Sequence, residues 1–376
     1  MFYLLFIALT LPFIVLSIFL NKRDGKRILL LYFLVYVFVF CASYRIGVDW
    51  YLYESYYYNL EVKFYPEIGY QALSYLFSSI GFDYWLFAFF IKTVVFIIIT
   101  RYCIKNCELP LLVVFCFFIV TIQFHTDFLR QQVAFALILL AISSFSLLRR
   151  SGYFILAATA HFSSILFLPV IFIYKSRLFQ HVIFYSTMCL FLFTLVNTTL
   201  LNEIIILLNP FLSGFIFFEK IKFYFFFGGG GGVTLGHLVR NALLLLFYIL
   251  HVKQKNKNDY VLDFFISFVL LTVFYENLLY SSETLWTRLQ CYGILFFFLY
   301  PIRYFKQNIL YMRLSALVVL VYALYSSSGI LRESDFYKYY NEYGSVFVHF
   351  SDESYQRDKI ELLENYWNNW QPRGAD

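Results

Sequence analysis

Charge is what this sequence has least of. Only 14% of its 376 residues are Asp, Glu, Lys or Arg, where soluble domains carry roughly 25%, and that shortfall excludes an ordinary soluble enzyme. A basic face is also missing. The formal balance is +6, but the positive residues are scattered between apolar runs, which argues against a nucleic-acid partner. The six cysteines, Cys41, Cys103, Cys107, Cys116, Cys189 and Cys291, lie in or beside apolar segments. The one close pair, Cys103 and Cys107, has no companion His or Cys cluster, so no metal site is expected and the cysteines read as packing residues. No basic leader or small-residue cleavage site opens the chain, so residues 1–20 read as a first membrane span rather than a cleaved signal. What is abundant is apolar surface: 61% of the residues are hydrophobic and 23% aromatic.

A helix crossing the hydrocarbon needs about 20 mostly apolar residues. Runs of that size, ended by charged breaks, fall at approximately 2–20, 28–44, 84–100, 109–123, 130–148, 181–201, 233–251, 261–280, 284–302 and 313–329. A further apolar stretch over 152–174, with His161 near its middle and Pro169 beyond, reads as one span or as a hairpin of two half-helices. The expectation is an all-α polytopic membrane protein with about 10–12 transmembrane or re-entrant helices over 1–330, followed by an extracytoplasmic tail over 331–376.

Short loops rich in Lys and Arg stay cytoplasmic, which tests the hairpin. Lys22, Arg23, Lys26 and Arg27 put the first loop inside; 44–83 then lies outside, Arg101 and Lys105 inside, 123–130 outside, and Arg149 and Arg150 inside. With 152–174 as a single crossing, Lys175, Arg177, Lys253, Lys255 and Lys257 would all lie outside, provided 203–227 does not cross. A re-entrant hairpin keeps all five inside, leaves 202–232 outside, and is the reading the charges favour. Its tip, carrying His161, would border an outward-facing aqueous cavity, because non-helical backbone at membrane depth is tolerated only where protein buries it or water reaches it. The tail, with nine acidic against five basic residues, falls outside and can form an amphipathic helix over 358–369.

Ionisable groups inside apolar runs are costly, by a contested ~2.5–3.5 kcal/mol or more, and are functional candidates by default. Lys92, His161, His237 and Arg240 qualify. Lys92 reads equally well as a residue that snorkels or pairs to hold helices together, Arg240 more as functional, and His237, near the outer boundary of its span, as structural. The outer segments are denser: Arg45-Ile-Gly-Val-Asp49, Glu67-Ile-Gly-Tyr, His125-Thr-Asp127-Phe-Leu-Arg130-Gln131-Gln132, and Glu283 with Arg288. Four segments placing Arg beside Asp or Glu at one depth are hard to explain as solvated loops. Asp127 and Arg130, three apart at a helix start, can face one cleft; Asp127 reads equally as the cap of the helix that follows. Five glycines, Gly228–Gly232, follow Phe223–Phe227. Without a Lys-Ser/Thr ending this is no P-loop, and a hinge is a better reading than a phosphate cradle. The tyrosines of 51–58 and 337–343 suit sugar stacking and the membrane interface alike.

The order Arg45-x-Gly-x-Asp49 after the second span, Glu67-x-Gly-Tyr, Leu129-Arg130-Gln131 entering an Ala-containing helix, and Ala160-His161-Phe-Ser-Ser ahead of Leu168-Pro169 resembles the EpsG family, which belongs with the Wzy-type O-antigen and exopolysaccharide polymerases. The resemblance covers about 30–175 well and the remainder through span pattern and Arg288. Val48 departs from the small or hydroxyl residue usual before the Asp, and the pentaglycine is foreign to the pattern. The resemblance implies a GT-C-like glycosyltransferase in the bacterial cytoplasmic (inner) membrane with its site facing the periplasm. It would need no cofactor and join undecaprenyl-diphosphate-linked oligosaccharides, as in lipopolysaccharide biosynthesis, with membrane lipid, a chain-length regulator and a flippase of the same pathway as partners.

The residues suit that chemistry independently. Glycosyl transfer from a diphosphate passes through an oxocarbenium-like state and needs a clamp for the leaving group and a base for the acceptor hydroxyl. Arg130, Arg240 and Arg288 offer planar forks for phosphate without a metal, and no DxD pair in the outer segments is present to hold Mg²⁺. His161 ranks first as base and Asp49 second, with Asp127 also eligible. Arg45, Glu67 and Gln131 complete the substrate-binding candidates, Arg45 either orienting Asp49 or binding a sugar. The rivals are a lipid-linked oligosaccharide flippase, against which the absence of a duplicated motif counts, and a GT-C-type transferase adding one sugar from a lipid-phosphate donor.

Overall fold

The computed structural model describes residues 2–20, 22–59, 67–196, 206–207, 209–211, 233–254, 259–280, 282–331, 339–340 and 343–368. The described residues are 85% helical, with no strand among them beyond an isolated antiparallel bridge between Ser43 and Ser345. The pentaglycine, its preceding phenylalanine run, Lys255 and Lys257 lie outside the described residues. The helices are α1 (Phe2–Phe19), α2 (Lys22–Tyr36), α3 (Trp50–Tyr58), α4 (Ile68–Ser79), α5 (Tyr84–Asn106), α6 (Pro110–Val120), α7 (Ile122–Thr126), α8 (Leu129–Ser143), α9 (Leu147–Ala160), α10 (Leu168–Ile173), α11 (Arg177–Val196), α12 (Leu235–Lys253), α13 (Tyr260–Leu278), α14 (Glu283–Tyr304), α15 (Ile309–Ile330), α16 (Val346–His349) and α17 (Glu353–Asn368). A π-turn over Val37–Cys41 extends α2, and a 3₁₀ stretch over Phe162–Phe167 precedes α10. Among the described residues six helices are long and apolar enough to cross a membrane, as expected for an all-α polytopic membrane protein.

Packing divides the chain into two compact units. One comprises Met1–Ile171 with Pro301–Asn368, the other Phe172–Tyr300. In the first, α6 is buried along its whole length against α1, α2, α5 and α15. Pro110 starts it, where the missing N–H costs nothing. α1 shows why the outer helices stay in lipid: Tyr3, Phe6, Ile7, Ile14 and Ile18 repeat at helical spacing on its protein face, while Leu5, Leu9, Phe13 and Leu16 are exposed. Caps fix several starts. The Asp83 carboxylate accepts from the Trp85 and Leu86 amides at 2.8 Å each, and Asn308 accepts from Tyr311.

The structure refines several expectations. The span predicted over 109–123 is broken into α6, only 11 residues and roughly 16 Å long, and the single turn of α7. The segment 123–130, expected on the outer face, is mostly buried within the protein: 124–130 are all buried. The Thr126 carbonyl accepts from Lys92 Nζ at 2.7 Å, eight residues along α5 from its start. Lys92 therefore neither snorkels nor pairs directly with a carboxylate; it ties this turn to Ser43, whose hydroxyl lies 2.9 Å away. Of the six cysteines, five are buried as expected, but Cys189 is exposed.

The 152–174 stretch does break at its histidine. α9 ends at Ala160, His161 is extended at φ −155° and ψ 117°, and the 3₁₀ turn and α10 follow. Arg150, at the start of α9, donates to the Ile171 carbonyl at 3.5 Å. A single crossing would hold residues 21 apart about 30 Å from each other, so the chain doubles back as a hairpin. We expect Leu148→Cys and Lys175→Cys, in a background with native cysteines replaced, to react with a membrane-impermeant thiol reagent from the same side. Labelling from opposite sides would refute the hairpin.

Candidate active site

The R-x-G-x-D segment is a strained loop over the buried turn at Asp127. Arg45 has φ 53° and Gly47 φ 97°. A Cβ on Gly47 would stand 2.4 Å from the Asp127 carboxylate, so only glycine permits both the backbone angle and the approach. That approach matters because Asp127 Oδ2 accepts from the Val48 and Asp49 amides at 2.8 and 2.9 Å, and Oδ1 from the Trp50 amide at 3.0 Å. Asp127 is thus a helix cap, but for α3, 77 residues upstream, and not for the α8 that follows it. α8 has Phe128 at its N-cap position and no side-chain cap. The Tyr340 hydroxyl adds a fourth donor at 3.1 Å.

Arg45 is buried. Its Nη1 donates to the Gln356 carbonyl at 3.0 Å and its Nη2 lies 3.4 Å from Glu54, with the guanidinium over Trp50 at 5.0 Å. Burial pushes the Glu54 carboxyl up from its ordinary range, while Arg45 and the Trp85 indole N–H, 2.8 Å away, pull against it. Asp49 accepts from the Tyr53 hydroxyl at 3.4 Å.

Glu67, just before α4, joins two other predicted residues, Arg130 and His161. Its Oε2 is engaged by Arg130 Nη1, and its Oε1 lies 2.8 Å from His161 Nδ1. The carboxylate and guanidinium are buried, whereas the imidazole, at the α9 break, is the most exposed of the three. Gly69 brings α4 here: a Cβ at that position would meet Thr159 Oγ1 at 2.4 Å and the Thr159 backbone at 2.9 Å, so glycine sets the close α4–α9 contact. Arg130 also lies over the Tyr53 ring at 4.9 Å. Tyr53 therefore touches both the Arg130–Glu67–His161 cluster and Asp49. Gln131 is buried next in sequence.

Arg240 and Arg288 belong to the second unit. Arg240 Nε donates to both Glu276 oxygens at 2.8 Å, Nη2 makes a further contact with Oε1, and the guanidinium lies over Trp286 at 5.2 Å. His237, read as structural, shares a 2.6 Å hydrogen bond with Asn277, which also pairs with Asn241. Arg288 is half-buried on α14. Glu54, Tyr53, Tyr340 and Glu276 were not singled out by sequence; only Glu276, an acid in an apolar run, carried a signal that could have found it.

Comparison with protein families matches residues 26–345 to the EpsG family. The chain belongs to the EpsG family. No curated protein and no solved structure matches it. Membership makes it a polysaccharide-polymerase-like, multi-pass membrane protein, and the EpsG-type motifs acquire physical reasons here. Gly47 admits Asp127, Gly69 admits α9, and Arg130, Glu67 and His161 form one cluster.

Two substitutions test this construction. Asp127→Ala would leave three backbone N–H groups without their acceptor, at about 1–3 kcal/mol each, and Gly47→Ala would force an L-residue into a left-handed conformation at about 1–3 kcal/mol. Both should lower the midpoint of thermal unfolding in detergent, Asp127→Ala the more. Unchanged midpoints would mean that the loop is not held by this cap.

Proposed function

We propose that the protein is a polysaccharide polymerase that joins undecaprenyl-diphosphate-linked oligosaccharide units in the bacterial cytoplasmic membrane, working from its outer face. The single observation that carries this reading is the Glu67 carboxylate shared between His161 and Arg130. A carboxylate on Nδ1 holds the imidazole in the tautomer whose Nε2 has the lone pair, the orientation a general base needs. In the reaction, His161 Nε2 takes the proton of the acceptor sugar hydroxyl. That oxygen bonds the anomeric carbon of the donor, and the bond from that carbon to the diphosphate oxygen breaks, its electron pair leaving with undecaprenyl diphosphate.

Arg130 is the diphosphate clamp in this proposal, its guanidinium carrying five donors in a fixed fork. Arg240, whose Nε and Nη2 both meet Glu276, and Arg288 remain further candidates on the second unit. Tyr53 offers an aromatic face beside the same cation, suited to a sugar ring. Arginine rather than a metal ion would balance the diphosphate charge, so polymerisation of purified lipid-linked units should proceed equally in excess EDTA. An absolute Mg²⁺ or Mn²⁺ requirement would overturn that part.

The reading is tested by the glycan of cells carrying variants. Loss of a polymerase leaves single repeat units on their acceptor, whereas loss of a flippase leaves none. His161→Ala should lower the polymerisation rate by ~10²–10⁴-fold while lipid-donor affinity is largely kept, because a base acts on rate. Glu67→Gln should lower it in the same direction. Arg130→Lys keeps charge but loses the fork, and should weaken donor affinity as well. Normal polymer from His161→Ala at unchanged membrane abundance would make His161 structural and Asp49 the better base.

A further inference from the structure

The tail was expected in the aqueous space, yet one short part of it presents apolar side chains outward. Around α16, Phe347, Val348 and Phe350 are 62%, 67% and 46% exposed. Their neighbours are membrane helices. The Phe347 ring packs against Phe38 at 6.0 Å and Phe89 at 5.8 Å. Phe38, itself 60% exposed, continues the exposed row Leu30, Leu31 and Leu34 of α2, spaced as one helix face. Leu86, Phe90, Val94 and Ile97 form a matching exposed row on α5. Just before α16, the Tyr343 ring stacks on Phe2 at the start of α1 at 4.2 Å, and its hydroxyl donates to the Phe38 carbonyl at 3.3 Å. An aromatic ring with a polar tip at the meeting of three span ends is what a membrane–water boundary selects.

We infer that residues 343–350 form a lipid-anchored strap, with Phe347, Val348 and Phe350 immersed among acyl chains at the membrane interface. The occupant is lipid because the patch is continuous with the lipid-facing rows of α2 and α5. The strap's other side reaches the candidate site. The Tyr44 amide donates to the Gly344 carbonyl at 2.9 Å and the Val346 amide to the Ala42 carbonyl at 2.8 Å, flanking the Ser43–Ser345 bridge. A Cβ on Gly344 would meet the Tyr44 carbonyl at 2.5 Å, so the two backbones lie as close as glycine allows. The bilayer thereby holds the strap, and the strap holds the backbone leading into Arg45. This inference does not depend on the polymerase reading.

The test uses the full chain with native cysteines replaced, in phosphatidylcholine–phosphatidylglycerol vesicles. Bimane is attached at Phe347→Cys, Val348→Cys and, as the aqueous reference, Glu353→Cys, which is solvent-exposed on α17. Doxyl-labelled lipid should quench the first two strongly and the reference little, and aqueous iodide should do the reverse. Iodide quenching at 347 and 348 equal to that at 353 would overturn the inference by placing the strap in water. Protection from both quenchers would overturn it by placing a second copy or another protein on the patch.

Discussion

The interior of this protein can hold a charge only if another group meets it. A single unpaired ion there costs several kcal/mol, and removing one partner of a buried pair typically costs about 3–5 kcal/mol. With so few charges in the chain, those that are buried organise the structure around themselves. Glu67 draws Arg130 and His161, from positions 63 and 94 residues further on, to one carboxylate. Glu54 draws Arg45, and Lys92 is met by a hydroxyl and a carbonyl.

The same constraint explains where the helices break. Backbone outside a helix exposes N–H and C=O groups that lipid cannot satisfy, and at the interruption between α7 and α8 polar side chains meet that need. The turn between α7 and α8 presents the Thr126 carbonyl to Lys92 and the Asp127 carboxylate to three amides before α3. Buried charge and broken helix are two halves of one arrangement: the break supplies polar backbone, and the side chain satisfies it. The break at His161 differs in that the imidazole itself, more than its backbone, is what the interruption delivers.

Much of this was legible beforehand. Apolar runs marked the long helices to within a few residues, because length and hydropathy are the same requirement in a bilayer. The Lys and Arg count favoured the hairpin, and Arg130, Glu67 and His161 were each chosen individually. Their mutual contact was not, since pairing across 63 and 94 residues is fixed by packing and leaves no local pattern. Asp127 shows the limit most clearly. Its position before a helix pointed to a local cap, yet it caps a helix far upstream, a choice set by the tertiary approach that Gly47 permits. Tyr53 and Tyr340 were hidden among 34 tyrosines, whose abundance has a sufficient explanation in the membrane interface. The polar residues of 123–130 were read as an outer constellation, but their partners inside the protein, such as the α3 amides on Asp127, left no local pattern.

Two of the buried arginines with carboxylate partners, Arg130 and Arg240, illustrate why the cluster at Glu67 suits the proposed chemistry better than its counterpart. Arg240 and Glu276 stand on two spanning helices and satisfy each other through several contacts, an arrangement that fixes one helix against another and gains nothing from a change of protonation. Glu67 instead divides its two oxygens between a guanidinium that cannot release a proton and an imidazole that can accept one. The proposed transfer starts with Arg130 positive, Glu67 negative and His161 neutral, and so with no net charge on the cluster. Under the proposed transfer, taking up the acceptor proton makes it positive at the step in which the departing diphosphate becomes more negative. The field therefore changes in the direction that stabilises the leaving group, while Glu67 keeps the new imidazolium compensated. A buried site built this way can alter its charge during a reaction without leaving an unpaired ion behind, which the interior would not tolerate.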